Sequence, residues 1–318
     1  MDSHRPGKAN LASVSMCTTA SRELTEPLAG TAPRATAWLL IEQSGPWGPR
    51  ALTESHFHPE LGRDLLQLTK GTGVEIALIR RPGRHADCPP SKAHTVFLAH
   101  TAPGGSWVRE AHLDDPHALR DLDFAAVGAG EHGDFGTAYE GDPLALVCTN
   151  GRRDRCCALL GRPLAAELAA SGHAQVWEVT HLGGHRFSPT MLVLPYGYTY
   201  GRLSPHTAKE VLEATHSGTV VAEWCRGRSF WERPSQAAEL AVRQDFGVEA
   251  VDALTVVQQP VADGEVADAW TVRITHVDGR AWDALVHRVA SEPARPESCL
   301  KSPTNPDRFD VVSLTPVR

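Results

Sequence analysis

Two short stretches carry the residue types that can ligate a redox metal. The first, CTNGRRDRCC, runs from Cys148 to Cys157, and the second, HLGGH, runs from His181 to His185. Fe-S clusters are held by thiolates, and two neutral imidazoles can replace two thiolates on one iron, as in Rieske centres. Cys148 offers one thiol and either Cys156 or Cys157 the second. Neighbours at a helix start point about 100 degrees apart, so only one of that pair faces a shared centre. Gly151, Gly183 and Gly184 allow positive φ and close backbone approach, which lets peptide N–H groups point at cluster sulfur. The glycines between His181 and His185 also argue against the helix-borne histidine pair of a zinc finger.

The flanking patterns say how these stretches are positioned. Leu144 to Thr149 is an apolar run of strand length, and a helix follows from about Cys156 to Ser171. Val176 to Thr180 alternates like a strand that ends just before His181. Met191 to Leu194 and Tyr198 to Leu203 form a hairpin around Pro195, Tyr196 and Gly197. Ser204 before Pro205 opens a helix that runs to about His216 and stops at Gly218. The preceding half has the same order of elements without matching residues: a strand at Ala37 to Glu42, a helix at Pro59 to Leu68, strands at Val74 to Arg80, Thr95 to His100 and Val108 to Leu113, and a helix at Pro116 to Phe124.

The expected fold class is therefore α/β (α+β), with two tandem thioredoxin-like domains built on central mixed sheets and a small C-terminal α+β module. The domains would span residues 34–135, without ligands, and 140–225, with them. In that order of elements the strand ends before Gly151 and His181 share one edge of the sheet, so four ligands can converge. Residues 1–33 read as a loose arm, Arg226 to Pro234 as a linker, 235–290 as the module and 291–318 as a surface tail. In the module, Gln236 to Phe246 reads as a helix, and Leu254 to Gln259, Trp270 to His276 and Ala281 to Val289 as strands with an Asp278-Gly279 turn.

The chain has 318 residues, of which 42% are hydrophobic and 22% charged, an ordinary balance for a folded protein. Its formal charge of −7 argues against a nucleic-acid partner and against a polybasic membrane anchor. No apolar run reaches the roughly 18 residues of a membrane helix, and the N-terminus lacks the apolar region of a signal peptide. These features point to the cytoplasm. Seven scattered cysteines do not make a disulfide scaffold, and in a reducing compartment the cluster at Cys148, Cys156 and Cys157 suggests metal or redox chemistry.

The spacing C-x8-C with an internal G-x-R-D, followed 24 residues later by H-x-G-G-H, resembles the sucrase/ferredoxin-like family. That family is itself similar to the thioredoxin-like 2Fe-2S ferredoxins, in which a C-x3-C pair stands in place of His181 and His185. A segment similar to MLVLPYGYTYG (Met191 to Gly201) and a Pro-started helix follow in both. The likeness is strongest over about residues 140–225 and extends more weakly to Gly30-Thr31-Ala32 and Gly45-Pro46-Trp47. It implies a 2Fe-2S cluster, not sucrose hydrolysis, with Cys148, Cys157, His181 and His185 as ligands. The family spacing favours Cys157 over Cys156, and Gly151, Arg153, Asp154, Gly183 and Gly184 would surround the ligands.

Such a protein carries one electron and turns over no substrate of its own. A flavoprotein reductase using a nicotinamide cofactor would feed it, because the chain has no means of accepting hydride, and it would pass the electron to a further acceptor. Two imidazoles in place of two thiolates raise the potential, and a ring that loses its second proton couples it to pH. Arg152, Arg153, Arg155 and Arg186 would favour the reduced form and attract an acidic partner; the plainer reading is a solvated loop with Asp154 paired to an arginine.

Three other functions compete. Cys2His2 is also a structural zinc set. Thiol-disulfide exchange wants C-x-x-C at a helix start, which this chain lacks. A cluster could also serve only the stability of a binding module. Elsewhere, Cys88 and His85 could join Cys17 or His58 at a second metal, although such loop residues are more often unligated. Cys225 reads as a core residue and Cys299 as an exposed thiol. No phosphate-cradling motif opens a helix.

Overall fold

The computed structural model describes residues 16–83, 93–172, 175–260, 268–299 and 301–317. Helix α1 (Cys17–Glu23) comes first. Strand β1 (Ala37–Glu42) reads AWLLIE and is buried on both faces, as an interior strand of a covered sheet should be. Helix α2 (Pro59–Leu68) makes the crossover that a parallel pair requires and leads to β2 (Val74–Arg80), parallel to β1. On the other side of β1 lies β3 (His94–His100), antiparallel, followed by β4 (Trp107–Leu113). The single helix expected from Pro116 is broken into a 3-10 turn, Pro116–Asp121, and helix α3 (Phe124–Ala129). Asp123 causes the break: its side chain accepts from the N–H groups of Ala125 and Ala126 and so starts a new helix. The short β5 (Thr137–Ala138) pairs with β4.

The second half repeats this order. All five residues of β6 (Leu144–Cys148) are buried. A π-type turn at Cys157–Gly161 runs into α4 (Arg162–Ser171), which leads to β7 (Gln175–Val179), parallel to β6. Strand β8 (Met191–Leu194) is antiparallel to β6 and continues into β9 (Tyr198–Tyr200). Helix α5 (Pro205–His216) opens on a capping box between Ser204 and Thr207, and β10 (Cys225–Arg228) pairs with β9. The orders β2-β1-β3-β4 and β7-β6-β8-β9 match, but the halves do not form separate sheets. Strands β2 and β7 pair antiparallel through Ile79 with Val179 and Arg80 with Glu178, giving one ten-stranded mixed sheet. A buried ion pair, Arg80 to Glu178 at 2.6 Å, closes that seam.

Residues 226–234 are not a linker. Arg226 and Arg228 are buried in β10, and Arg228 donates to the Thr101 carbonyl and to Asp252 at 2.9 Å each. A guanidinium can sit inside when carbonyls and a carboxylate take its donors, a pairing of distant residues that composition does not report. Helix α6 (Arg233–Phe246) then packs its Ala237, Ala238 and Val242 on a second, antiparallel sheet. That sheet contains β11 (Leu254–Pro260), β12 (Ala269–His276), β13 (Ala281–Ala290) and β14 (Asp307–Val317) in sequence order. Strand β14 lies in the stretch expected as a surface tail. It pairs with the whole length of β13, and Phe309, Val311 and Leu314 pack against the α6 core.

The ends of the chain are tied to the second half of the large sheet. Cys17, Thr18 and Ser21 of α1 are buried, so the expected N-terminal arm is ordered structure from that helix onward. Glu26, 3% exposed, accepts from Arg186 Nε at 2.8 Å and from Arg295 Nε at 3.0 Å. Burial alone would raise the Glu26 pKa, but Arg295 and Arg186 outweigh it and hold the carboxyl below its ordinary value. Its contribution to stability is thus full above the ordinary carboxylate pKa and is lost as pH falls through the depressed one. Glu26→Gln leaves two buried guanidiniums short of a charge and is expected to cost about 3–5 kcal/mol in urea unfolding at pH 7. The gap from wild type should shrink as the pH is lowered toward that of the protonated carboxyl; a variant as stable as wild type at neutral pH would contradict it. No helix among the described residues is long and apolar enough to cross a membrane.

Candidate metal centre

Strands β6 and β7 run parallel side by side with Cys148 opposite Val179, so the chain leaves both strands at the same edge. Cys148 ends β6, and His181 comes two residues after β7 ends. Cys157 begins the π-type turn, and His185 begins a 3-10 turn, His185–Phe187. Cys157 Sγ lies 3.2 Å from His185 Nδ1, and the rings of His181 and His185 are 4.9 Å apart between centroids. Cys157 and His181 both act on the buried Cys148 thiol. The four side chains singled out by residue type are therefore together. Cys148, Cys157 and His185 are buried, while His181 is exposed.

Their electrostatics suit ligation. A hydrogen bond from Cys157 holds the Cys148 thiol well below its ordinary range, against burial that would raise it, and His181 adds to the fall. The same bond, with burial, pushes Cys157 up, so the two buried thiols share their proton between them. Burial pulls His185 down to about 4, leaving it neutral at pH 7. Neutral imidazole and thiolate are the forms that bind metals.

Gly183 and Gly184 have φ of 67° and 66°, a conformation that side chains strain. A Cβ on Gly184 would also lie 2.3 Å from Arg226 Nη2. Arg226 supports this turn from below, donating to the Gly183 carbonyl at 3.2 Å and to Thr31 Oγ1 at 3.1 Å; burial lowers its pKa to about 9. Gly184→Ala combines the strain with that clash and is expected to cost about 1–3 kcal/mol, read as a lower urea midpoint. An unchanged midpoint would contradict this role. Gly151, by contrast, is not at positive φ; a Cβ there would meet the Ala158 Cβ at 2.7 Å, so it serves close packing. Gly161 went unnoticed in the sequence, yet a Cβ on it would strike the Cys148 carbonyl oxygen at 2.2 Å. An isolated glycine entering a helix was the available signal.

Of the two adjacent thiols, Cys157 faces the histidines and Cys156 faces elsewhere. Cys156 Sγ lies 3.5 Å from Cys17 Sγ and 3.2 Å from Cys299 Sγ. Hydrogen bonds, from Cys17 above all, draw the Cys156 pKa down to about 6 against burial. Cys156 is fully buried and Cys299 is half-buried, so the latter is not the exposed thiol expected. Asp154 pairs with no arginine among the described residues. It is buried and accepts from the Cys156 N–H at 2.8 Å, the Cys299 N–H at 2.7 Å and the Ser298 hydroxyl at 2.8 Å. Arg152, Arg153 and Arg155 are exposed, but Arg186 is buried between Glu26 and Glu297 and adds no free charge. Cys88 and His85 lie outside the described residues, and His58 packs against the ring of His117. Cys225 is buried in the core, as expected.

Residues 28–227 match the sucrase/ferredoxin-like family, a span that takes in β1 to β9 and most of β10. The chain belongs to the sucrase/ferredoxin-like family. The four-stranded sheet lies beyond the family match. A curated relative is altered inheritance of mitochondria protein 32 from the yeast Meyerozyma guilliermondii, 28% identical over 97 residues. That alignment covers 27% of this chain and 34% of the yeast protein, so the two share a segment, not a whole architecture. No solved structure matches the chain.

Proposed function

We propose that this member of the family is a one-electron carrier in which Cys148, Cys157, His181 and His185 hold a 2Fe-2S cluster. The convergence of these four donors at the shared edge of β6 and β7 carries the proposal. By donor chemistry the two thiols would hold one iron and the two imidazoles the other. When bound, the cluster supplies a store for one electron. The matching strand orders of the two halves support reading each as a thioredoxin-like unit, the first without ligands.

The chain's own residues do the rest. Arg226 and the two glycines fix the histidine turn, and the buried thiols keep water from the sulfur side. His181 stands at an open groove lined by Arg153, Gly183, Gly184 and Lys301, which gives a partner access to its ring. A histidine ring that can lose its second proton would couple the potential to pH. Arg152, Arg153 and Arg155 offer positive charge to an acidic partner; we assign a flavoprotein reductase as donor and a further protein as acceptor. Six free cysteines among the described residues suit a reducing compartment, and we place the protein in the cytoplasm.

Voltammetry of anaerobically purified protein tests electron transfer itself. A reversible one-electron wave is expected, and its absence from cluster-loaded protein would reduce the cluster to a structural role. The second reading is a single zinc ion, favoured by the 3.2 Å between Cys157 Sγ and His185 Nδ1. Donors on one tetrahedral metal lie about that close, whereas Cys157 and His185 would move apart to sit on the two irons of a cluster. Colourless protein with zinc at these four residues would establish it.

A further inference from the structure

We propose that Cys17, Cys156 and Cys299, with Asp154, form a second metal site that takes one zinc ion and is independent of the metal held by Cys148 and its partners. The three sulfurs form a closed triangle with edges of 3.5, 3.6 and 3.2 Å. The Asp154 carboxylate oxygens lie 3.9 and 3.8 Å from Cys17 Sγ. Tetrahedral zinc with Zn–S bonds of about 2.3 Å sets its sulfurs about 3.8 Å apart, so the triangle needs only a small expansion. Sulfurs bound to separate irons of a multinuclear cluster stand wider, which makes a single ion the better occupant. Zinc accepts both thiolate sulfur and carboxylate oxygen in a four-coordinate tetrahedral set, and soft thiolates favour it over the hard divalent ions.

Ordinary core packing does not account for this triangle. Cys148, Cys157 and Cys225 belong to apolar clusters, but Cys17, Cys156 and Cys299 belong to none of the four. Their surroundings are polar instead. Thr18 Oγ1 lies 3.3 Å from Cys156 Sγ, and Ser298 and the N–H groups of Cys156 and Cys299 orient Asp154. Metal ligands are commonly held by such outer hydrogen bonds. The three thiols come from three parts of the chain: the first residue of α1, the residue before the π-type turn, and the segment between β13 and β14. Zinc there would clamp both chain ends onto the loop that presents Cys157. Asp154 lies beside both groups, with Cys157 and His185 as its neighbours on the other side.

Metal analysis and native mass spectrometry of the full chain, purified anaerobically from zinc-replete cells, test the proposal. Wild type should carry one zinc that Cys17→Ser and Cys299→Ser each lose, whatever metal the other site holds. Iron content and visible absorption should stay at the wild-type level in both variants, while Cys148→Ser should lose the metal of its own site and keep this zinc. Cobalt(II) added to metal-free wild type should give thiolate charge-transfer bands that are missing from Cys299→Ser. Zinc content equal to wild type in both variants, copper in place of zinc, or a disulfide between Cys156 and Cys299 in the purified protein would each overturn it.

Discussion

Cys148→Ser and Cys157→Ser are each expected to abolish the visible absorption and iron content of the protein, whereas Cys156→Ser should keep both. Serine offers a hydroxyl that stays protonated at neutral pH, and iron in a cluster requires the ionised sulfur. Even partners outside the ligand shell are worth roughly 10–100-fold in metal affinity, so loss of a ligand should exceed that. Cys157 draws the Cys148 thiol down, and Cys157 meets His185 at 3.2 Å. Cys156, one residue away, turns its sulfur to Cys17 and Cys299. The three variants thus separate a proposed ligand from its neighbour on one helix start. Iron retained by Cys157→Ser and lost from Cys156→Ser would reverse the assignment of the adjacent thiols.

Exchange of the histidines should have the second large effect. His181→Cys with His185→Cys converts two neutral donors to two anionic ones, and the potential should fall by on the order of several hundred millivolts. In wild type a ligand imidazole that loses its second ring proton on oxidation should make the potential decline with rising pH by at most about 59 mV per unit, the value for one proton and one electron. The double variant should lose that slope. The sign follows from charge: raising pH removes the proton, which favours the oxidised form. A wild-type potential that stays flat from about pH 6 to about pH 10 would contradict a proton carried on an imidazole ligand.

The site was more legible in the sequence than its supports were. Apolar runs such as Leu144 to Cys148 report burial on both faces, and the glycines around His181 and His185 report a turn, so local chemistry found the strand end and the turn that carry the four candidate residues. Ser204 and Pro205 likewise marked the start of α5. Contacts between distant residues were not legible. Cys17 and Cys299 lie 139 and 143 positions from Cys156, and no periodicity links them. Arg226 and Arg228 read as linker because their charge is visible in the sequence and the carbonyls that satisfy it are not. Strand β14 was hidden behind the Pro- and Ser-rich stretch before it, although Phe309, Val311 and Leu314 were apolar enough to pack. The joining of the two halves into one sheet rests on two residue pairs between β2 and β7, too short a match for either strand to announce.

Counting iron and acid-labile sulfide per chain in anaerobically purified wild type tests the central claim most directly. The proposed ligation by Cys148, Cys157, His181 and His185 predicts two of each, with an EPR signal on one-electron reduction. Protein that carries neither iron nor sulfide, however carefully prepared, would contradict it.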